Sequence, residues 1–351
     1  MCKKREKDTN FHGFLVYLRQ IFWNVYQISK TMTVKEVFEL RKQGRIEEAY
    51  EAIRPMYAVH QGKYTTLCMF WTASDILKKR IGEKRLVEAE KIFKALLRIL
   101  PNIDDRDGKA HSSIYYEAVT LAREGKAFSM LDFVAGLQVE QLRDEDWKTI
   151  QTPVVAGTPT HPIPSVAQQM LTCAFHEIQN DAKAIHSRDS TQVDKALKVM
   201  PLLQEAVRRH PRDKNNQRYM AVVYRIMGER DKATNIYREL LARHRDSYLY
   251  AELAELTDDP GRKAALYCHA IQNQRQEKFR SGYRLELARL LIDRDLPKAA
   301  YELQRCIATR QAAGFGATCE MQQMLSRLQG VTPSTDAEQQ AFYRGMMEKY
   351  R

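Results

Sequence analysis

From Val34 onward, apolar residues recur at three- and four-residue spacings with charged residues between them. That period puts one apolar stripe on each of a series of helices. Alternating β-branched runs bounded by turn residues, the mark of strands, are nearly absent. The most regular stretch is DKNNQRYMAVVYRIMGERDKATNIYRELLARHRD, residues 213–246. Met220, Val223 and Tyr224 form one stripe; Ala233, Ile236, Tyr237, Leu240 and Leu241 form a second. Gly228 falls between them, where one helix must end and the chain reverse, and glycine takes the left-handed conformation such an ending needs. Two helices joined by a short turn make an αα-hairpin of roughly 34 residues.

Parts of the same pattern recur along the chain. Gly44 and Ala49 keep the turn spacing in LRKQGRIEEAYEAI. Ala89, Phe93 and Pro101 occupy a second helix and its exit in RLVEAEKIFKALLRILPNID. Ala206 and Pro211 do so one period before the best stretch, Ala118, Leu121 and Gly125 suit a first helix, and Tyr283, Leu287, Leu290 and Ala299 follow without the turn glycine. On these residues the chain resembles the tetratricopeptide-repeat (TPR) family. Ala221, Tyr224, Gly228, Ala233 and Tyr237 match five of that family's positions in order, and Arg245 stands where the closing proline would be. The resemblance spans about residues 33–310 and is close only over 213–246. It implies an all-α solenoid of about six to seven degenerate αα-hairpins, each burying one face on the next. The competing reading is an irregular helical bundle. LRKQGRIEEAYEAIRP with FWTASDILKKR is also similar, more faintly, to the opening repeats of helical proteins in bacterial conflict systems, which would imply a scaffolding or regulatory part there.

The expected organisation is an N-terminal extension at 1–31, a helical block at 32–149, a linker or ordered loop at 150–165, a second block at 166–330 and a terminal helix within 331–351. The loop rests on QTPVVAGTPTHPIP, whose four prolines exclude helix. Within the extension, FHGFLVYLRQIFWNVYQI (11–28) is apolar and aromatic but interrupted by Arg19, Gln20 and Asn24. A central charge speaks against a membrane span, and no small-residue cleavage site follows. A signal or anchor, an amphipathic docking helix, and a natural start at Met32 all stay open.

Chemistry is sparse. The six cysteines form no Cys-x-x-Cys pair and fit no zinc spacing, which suggests reduced thiols and a cytoplasmic protein. His176–Glu177 opens like a zinc-protease helix, but Asn180 stands where the second ligand is needed. Gly314 and Gly316 lack the third glycine and preceding strand of a nucleotide cradle. No P-loop or nucleophile elbow occurs, so neither cofactor nor metal is expected, nor is an enzyme.

Charge is the remaining signal. The formal net charge of the 351 residues is +12. Residues 198–245 hold twelve Lys/Arg against five acidic residues. This is either a solvated face with local ion pairs or a basic groove for an acidic partner, protein or nucleic acid. In TPR proteins the first helix of each hairpin lines a concave groove. By that resemblance Asn215, Arg218, Val222 and Arg225, on one helix face, line it, with Arg284 as the equivalent further along. Two guanidinium groups and an amide suit carboxylates or phosphates. The expected function is an adaptor that holds a protein or acidic peptide, with nucleic-acid association as the alternative.

Overall fold

The structure, a computed structural model, describes residues 32–125, 128–151, 162–180 and 190–350. The three readings of the extension concern residues outside these. The described residues contain sixteen α-helices and no strand, and two extended residues, Ile150 and Ile163, pair with each other. The all-α, hairpin-built architecture expected from the periodicity is the one observed.

Two compact units divide the chain. The first holds α1 (Val34–Lys42), α2 (Ile46–Val59), α3 (Lys63–Gly82), α4 (Leu86–Ile99), α5 (Lys109–Glu124), α6 (Met130–Ala135) and α7 (Val166–Asn180). From α1 to α5 each helix packs on the next, and α7 packs on α5 and α6. In α8 (Ser190–Arg209), Leu197–Leu202 cluster with the first unit and the rest with the second. The second unit continues through α9 (Lys214–Ile226), α10 (Arg230–Leu241), α11 (Ser247–Glu255), α12 (Pro260–Asn273), α13 (Ser281–Leu291), α14 (Leu296–Ala312), α15 (Cys319–Arg327) and α16 (Asp336–Lys349). There too the helices from α9 to α15 pack in sequence, and α16 returns to lie on α12.

Three hairpins share one turn. Residues Gly44, Lys84 and Gly228 all have left-handed backbones, with φ of +78°, +60° and +82°. Each N–H at these positions bonds back three residues, to Arg41, Ile81 and Arg225. The next N–H bonds back five, from Arg45 to Leu40, Arg85 to Arg80 and Glu229 to Tyr224, at 2.8–3.0 Å. The second bond is the 6→1 link of the Schellman motif, which satisfies carbonyls that the ending helix leaves open. Five residues beyond each turn stand Ala49, Ala89 and Ala233, all fully buried. A side chain no larger than a methyl lets the two helices of each hairpin approach. Phe93 and Tyr237, four residues later, fill the space behind them. Starts are encoded as locally: Thr33 and Glu36 form a capping box, as do Thr335 and Glu338, and Asp213 accepts the Asn216 N–H at 2.8 Å.

One boundary differs from expectation. The loop at 150–165 does not separate the blocks. Its described ends are tied by two 2.9 Å backbone bonds between Ile150 and Ile163. Beyond it α7 belongs to the first unit, because Glu177 accepts the Met130 N–H at 2.5 Å and the Ser129 hydroxyl at 2.9 Å. The division between units falls at 183–203 instead.

Candidate partner-binding face

Helix α9 carries the row in which the sequence places the groove, and the structure sorts its members. Asn215 is exposed. Val222 is buried, so it belongs to the core and does not line a groove. Its position one turn from both arginines made it seem outward, but α9 buries seven of its thirteen residues, more than one stripe.

Arg218 faces α11. Its Nε lies 3.0 Å from both oxygens of Glu252, its Nη2 is 2.5 Å from Oε1, and the guanidinium sits 4.7 Å from the Tyr248 ring centre. Burial works against the charge, but the Glu252 hydrogen bonds and charge overcome it and hold the pKa above its ordinary value. Lys214 extends the same contact, with Nζ 3.0 Å from Asp246 and 5.8 Å from the Tyr248 ring. Tyr283 of α13 lies against this cluster; burial raises its pKa first, and Ser247, Glu252 and Arg218 all act on it. Three helices, α9, α11 and α13, therefore bring Arg218, Glu252, Tyr248 and Tyr283 together. The sequence reading missed Glu252. The signal was present, since Arg218 and Glu252 are 34 residues apart and so hold equivalent places in successive hairpins.

Arg225 differs from Arg218. Its side chain is half-buried and makes no hydrogen bond or ion pair among the described residues, and its Nε is shut off from solvent. It lies near enough to Tyr237 to draw that phenol's pKa down, against burial, which raises it more.

Arg284, expected in the groove, is instead buried. Its Nη1 donates to Glu302 at 2.9 Å and to the Tyr343 hydroxyl at 3.3 Å, and its Nη2 reaches Glu277 at 2.9 Å. Glu302 also accepts from Gln339 at 2.5 Å and from the Tyr343 hydroxyl. The cluster joins α13, α14 and α16. Burial pushes the Glu302 carboxyl up while Arg284 and the hydrogen bonds oppose it. This is a structural network with no opening to a partner.

The basic excess at 198–245 is largely matched. Lys198, Arg208, Arg209, Lys214, Arg218, Arg230 and Lys232 each meet a carboxylate. Two arginines share Glu205, and the hydrogen bond from Arg208, then that from Arg209, pull its pKa down to about 2 against burial. Asp132, Asp246, Glu252 and Asp258 lie outside the window that was counted, so the local charge overstated the exposed charge.

Other candidate chemistry also takes structural roles. Glu177 caps α6 as described, and His176 points to solvent. Gly314 is left-handed at the end of α14, the helix-breaking role. Burial pushes the Cys68 thiol up to about 11 and raises Cys268 and Cys306, which makes them poor nucleophiles. Among the described residues no group of three or more His, Cys, Asp or Glu could hold a metal ion, and no helix is long and apolar enough to cross a membrane.

A family model described as a domain of unknown function, DUF7017, matches residues 217–349, which lie within the second unit. No curated protein matches the sequence. Among solved structures, a tetratricopeptide repeat protein from Parabacteroides merdae ATCC 43184 is similar at 12% identity and a TM-score of 0.34, over 84% of this chain and 96% of that one. At that TM-score the likeness carries no weight for the fold, which rests on the turns and alanine contacts above. Neither match concerns the conflict-system resemblance.

Proposed function

We propose that the chain is a non-catalytic helical-repeat adaptor that holds an acidic segment of a protein partner against the α9 face of its second unit. Arg225 carries this reading. It is a half-buried arginine with no partner among the described residues, on the same helix face as the Arg218–Glu252–Tyr248 cluster, where its neighbours are already paired. A half-buried, unpaired guanidinium can take a carboxylate from outside at its outer nitrogens. Exposed Asn215 offers an amide at the start of the same helix. Arg218 is already paired with Glu252 and stacked on Tyr248, and in this reading it does not contact the ligand directly. The pairing of most basic residues around it disfavours the nucleic-acid alternative, because phosphate binding needs unpaired cations spread along a surface.

The test is selection of random short peptides on the purified chain. Acidic peptides should be enriched by the natural chain, lost with Arg225→Glu, and kept with Arg238→Glu, which changes charge equally at an exposed arginine beyond the turn. Equal loss in both variants would favour diffuse electrostatics. Tight RNA or DNA binding that collapses with salt would replace the adaptor reading with the nucleic-acid one.

A further inference from the structure

In the second unit, the loops that join one hairpin to the next lie side by side along one edge. They are residues 210–213, 242–246 and 274–280. Two contacts hold them together: Lys214 Nζ lies 3.0 Å from Asp246, and Gln274 Nε2 donates to the Ser247 hydroxyl at 3.1 Å. The three carboxylates of these loops are all engaged within the unit. Asp213 caps α9, Asp246 meets Lys214, and Glu277 takes Arg280 and Arg284, each at 2.9 Å. Their arginines are left over. Arg212, Arg243, Arg245 and Arg275 are exposed, and none of them meets a carboxylate among the described residues. The turns at the opposite edge, 227–229, 256–259 and 292–295, have the reverse balance, with five carboxylates and Arg294 as their one cation. Positive charge is therefore gathered at one edge of the unit.

We propose that this edge docks an acidic stretch of a protein partner, at a surface separate from Arg225. The kind of partner rests on the adaptor reading above; the surface itself does not depend on Arg225. Charge complementarity carries the proposal. Four guanidiniums without carboxylates stand on successive loops, and each can hold a carboxylate through paired N–H donors. Helices α9 and α11 are in contact through Arg218 and Glu252. Packed helices lie about 8–10 Å apart, so the three loops span roughly 20 Å. An extended segment covers that with about six residues. The carboxylates of the opposite edge repel such a segment, which fixes the edge it takes. The aromatic groups nearby disfavour a nucleic acid, whose bases need open ring faces. Tyr250 and His269, beside Arg245, stack on each other at 4.8 Å, and Lys278 Nζ lies over the Phe279 ring at 4.8 Å.

Fluorescence anisotropy on the full chain, with a labelled Glu-rich peptide of about six residues, tests this. Arg212→Gln/Arg245→Gln should weaken binding roughly tenfold or more. Arg262→Gln/Arg294→Gln removes the same charge from exposed positions at the opposite edge and should stay within about twofold, as should Arg225→Gln. Loss with Arg225→Gln but not with the edge pair would overturn the proposal and leave the α9 site standing. If instead Arg225→Glu spares the acidic peptides selected from the random pool while the edge pair loses this one, the edge stands and the Arg225 reading falls. Equal loss in the two pairs would overturn the edge in favour of diffuse attraction, and failure of the natural chain to bind the peptide would overturn it outright. Tighter binding of a single-stranded oligonucleotide, lost with the same edge pair, would overturn it in favour of a nucleic acid.

Discussion

Lys84 is the residue that most disagrees with its own position. It adopts the left-handed backbone that Gly44 and Gly228 adopt at the equivalent turns, at φ +60°. An L side chain costs roughly 1–2 kcal/mol there, and glycine's extra freedom in the unfolded chain costs about 0.4–1 kcal/mol. Lys84→Gly should therefore gain up to about 1 kcal/mol, minus a small share for its exposed ion pair with Glu124. Gly44→Ala should lose about 1 kcal/mol, since a Cβ there meets nothing within 4 Å and only the backbone objects. Urea melts of both decide it; a loss above that in Lys84→Gly would mean the lysine side chain matters more than its φ. Glu117 is the second such residue. It is buried, accepts from Ser74 and Ser113, and leaves one oxygen without a partner. Burial raises its pKa above the ordinary carboxylate value. The folded state then holds the proton more tightly than the unfolded state, so its contribution is fullest below about 4.5 and is lost as pH rises through the raised value. Glu117→Gln should gain on the natural chain as pH is raised from 4 to 8. A difference that does not change with pH would mean that the carboxyl titrates alike in the folded and the unfolded chain.

At the scale of elements, what could be read in advance was what is local. The hairpin turns show in Gly44 and Gly228, and the close contacts in Ala49, Ala89 and Ala233, because each depends on residues within one turn of itself. The α3–α4 turn was hidden by a lysine doing a glycine's work. The place of Arg284 could not be read, because what buries it, Glu302 and Tyr343, lies 18 and 59 residues away. A helix face shows which residues align, but not which later helix will return to cover them. That return is testable. Removing one partner of a buried ion pair leaves a charge without compensation, so Glu302→Ala should cost about 3–5 kcal/mol and loosen α16. Glu277→Ala removes the exposed partner of the same arginine and should cost about 1 kcal/mol or less. Similar costs in chemical denaturation would mean that the buried half of the network is no stronger than its rim.

Across whole hairpins, contacts recur at about one repeat length. Arg41 pairs with Asp75, Arg218 pairs with Glu252, and Arg327 pairs with Asp293, each 34 residues apart. The same position in consecutive hairpins thus supplies opposite members of a pair, and each pair ties two neighbours in a structure whose stability is carried by nearest-neighbour contacts. This also changes how the basic stretch behaves. Arg218 is a tie between α9 and α11 before it is anything to a partner, so reversing it alters the fold as well as the surface. Arg218→Glu should face a second carboxylate toward Glu252 in a half-buried contact and cost several kcal/mol, unlike Arg238→Glu, which should stay within about 0.5 kcal/mol. A double-mutant cycle of Arg218→Ala and Glu252→Ala should return a coupling of roughly 1–3 kcal/mol that persists in salt, since the pair is largely shielded from water. The same cycle on the exposed pair Arg85 and Glu88 at the start of α4 should give about 0.5 kcal/mol or less and vanish in salt. Equal couplings in the two cycles would mean that the repeat-spaced pairs decorate the surface and that packing alone joins the hairpins.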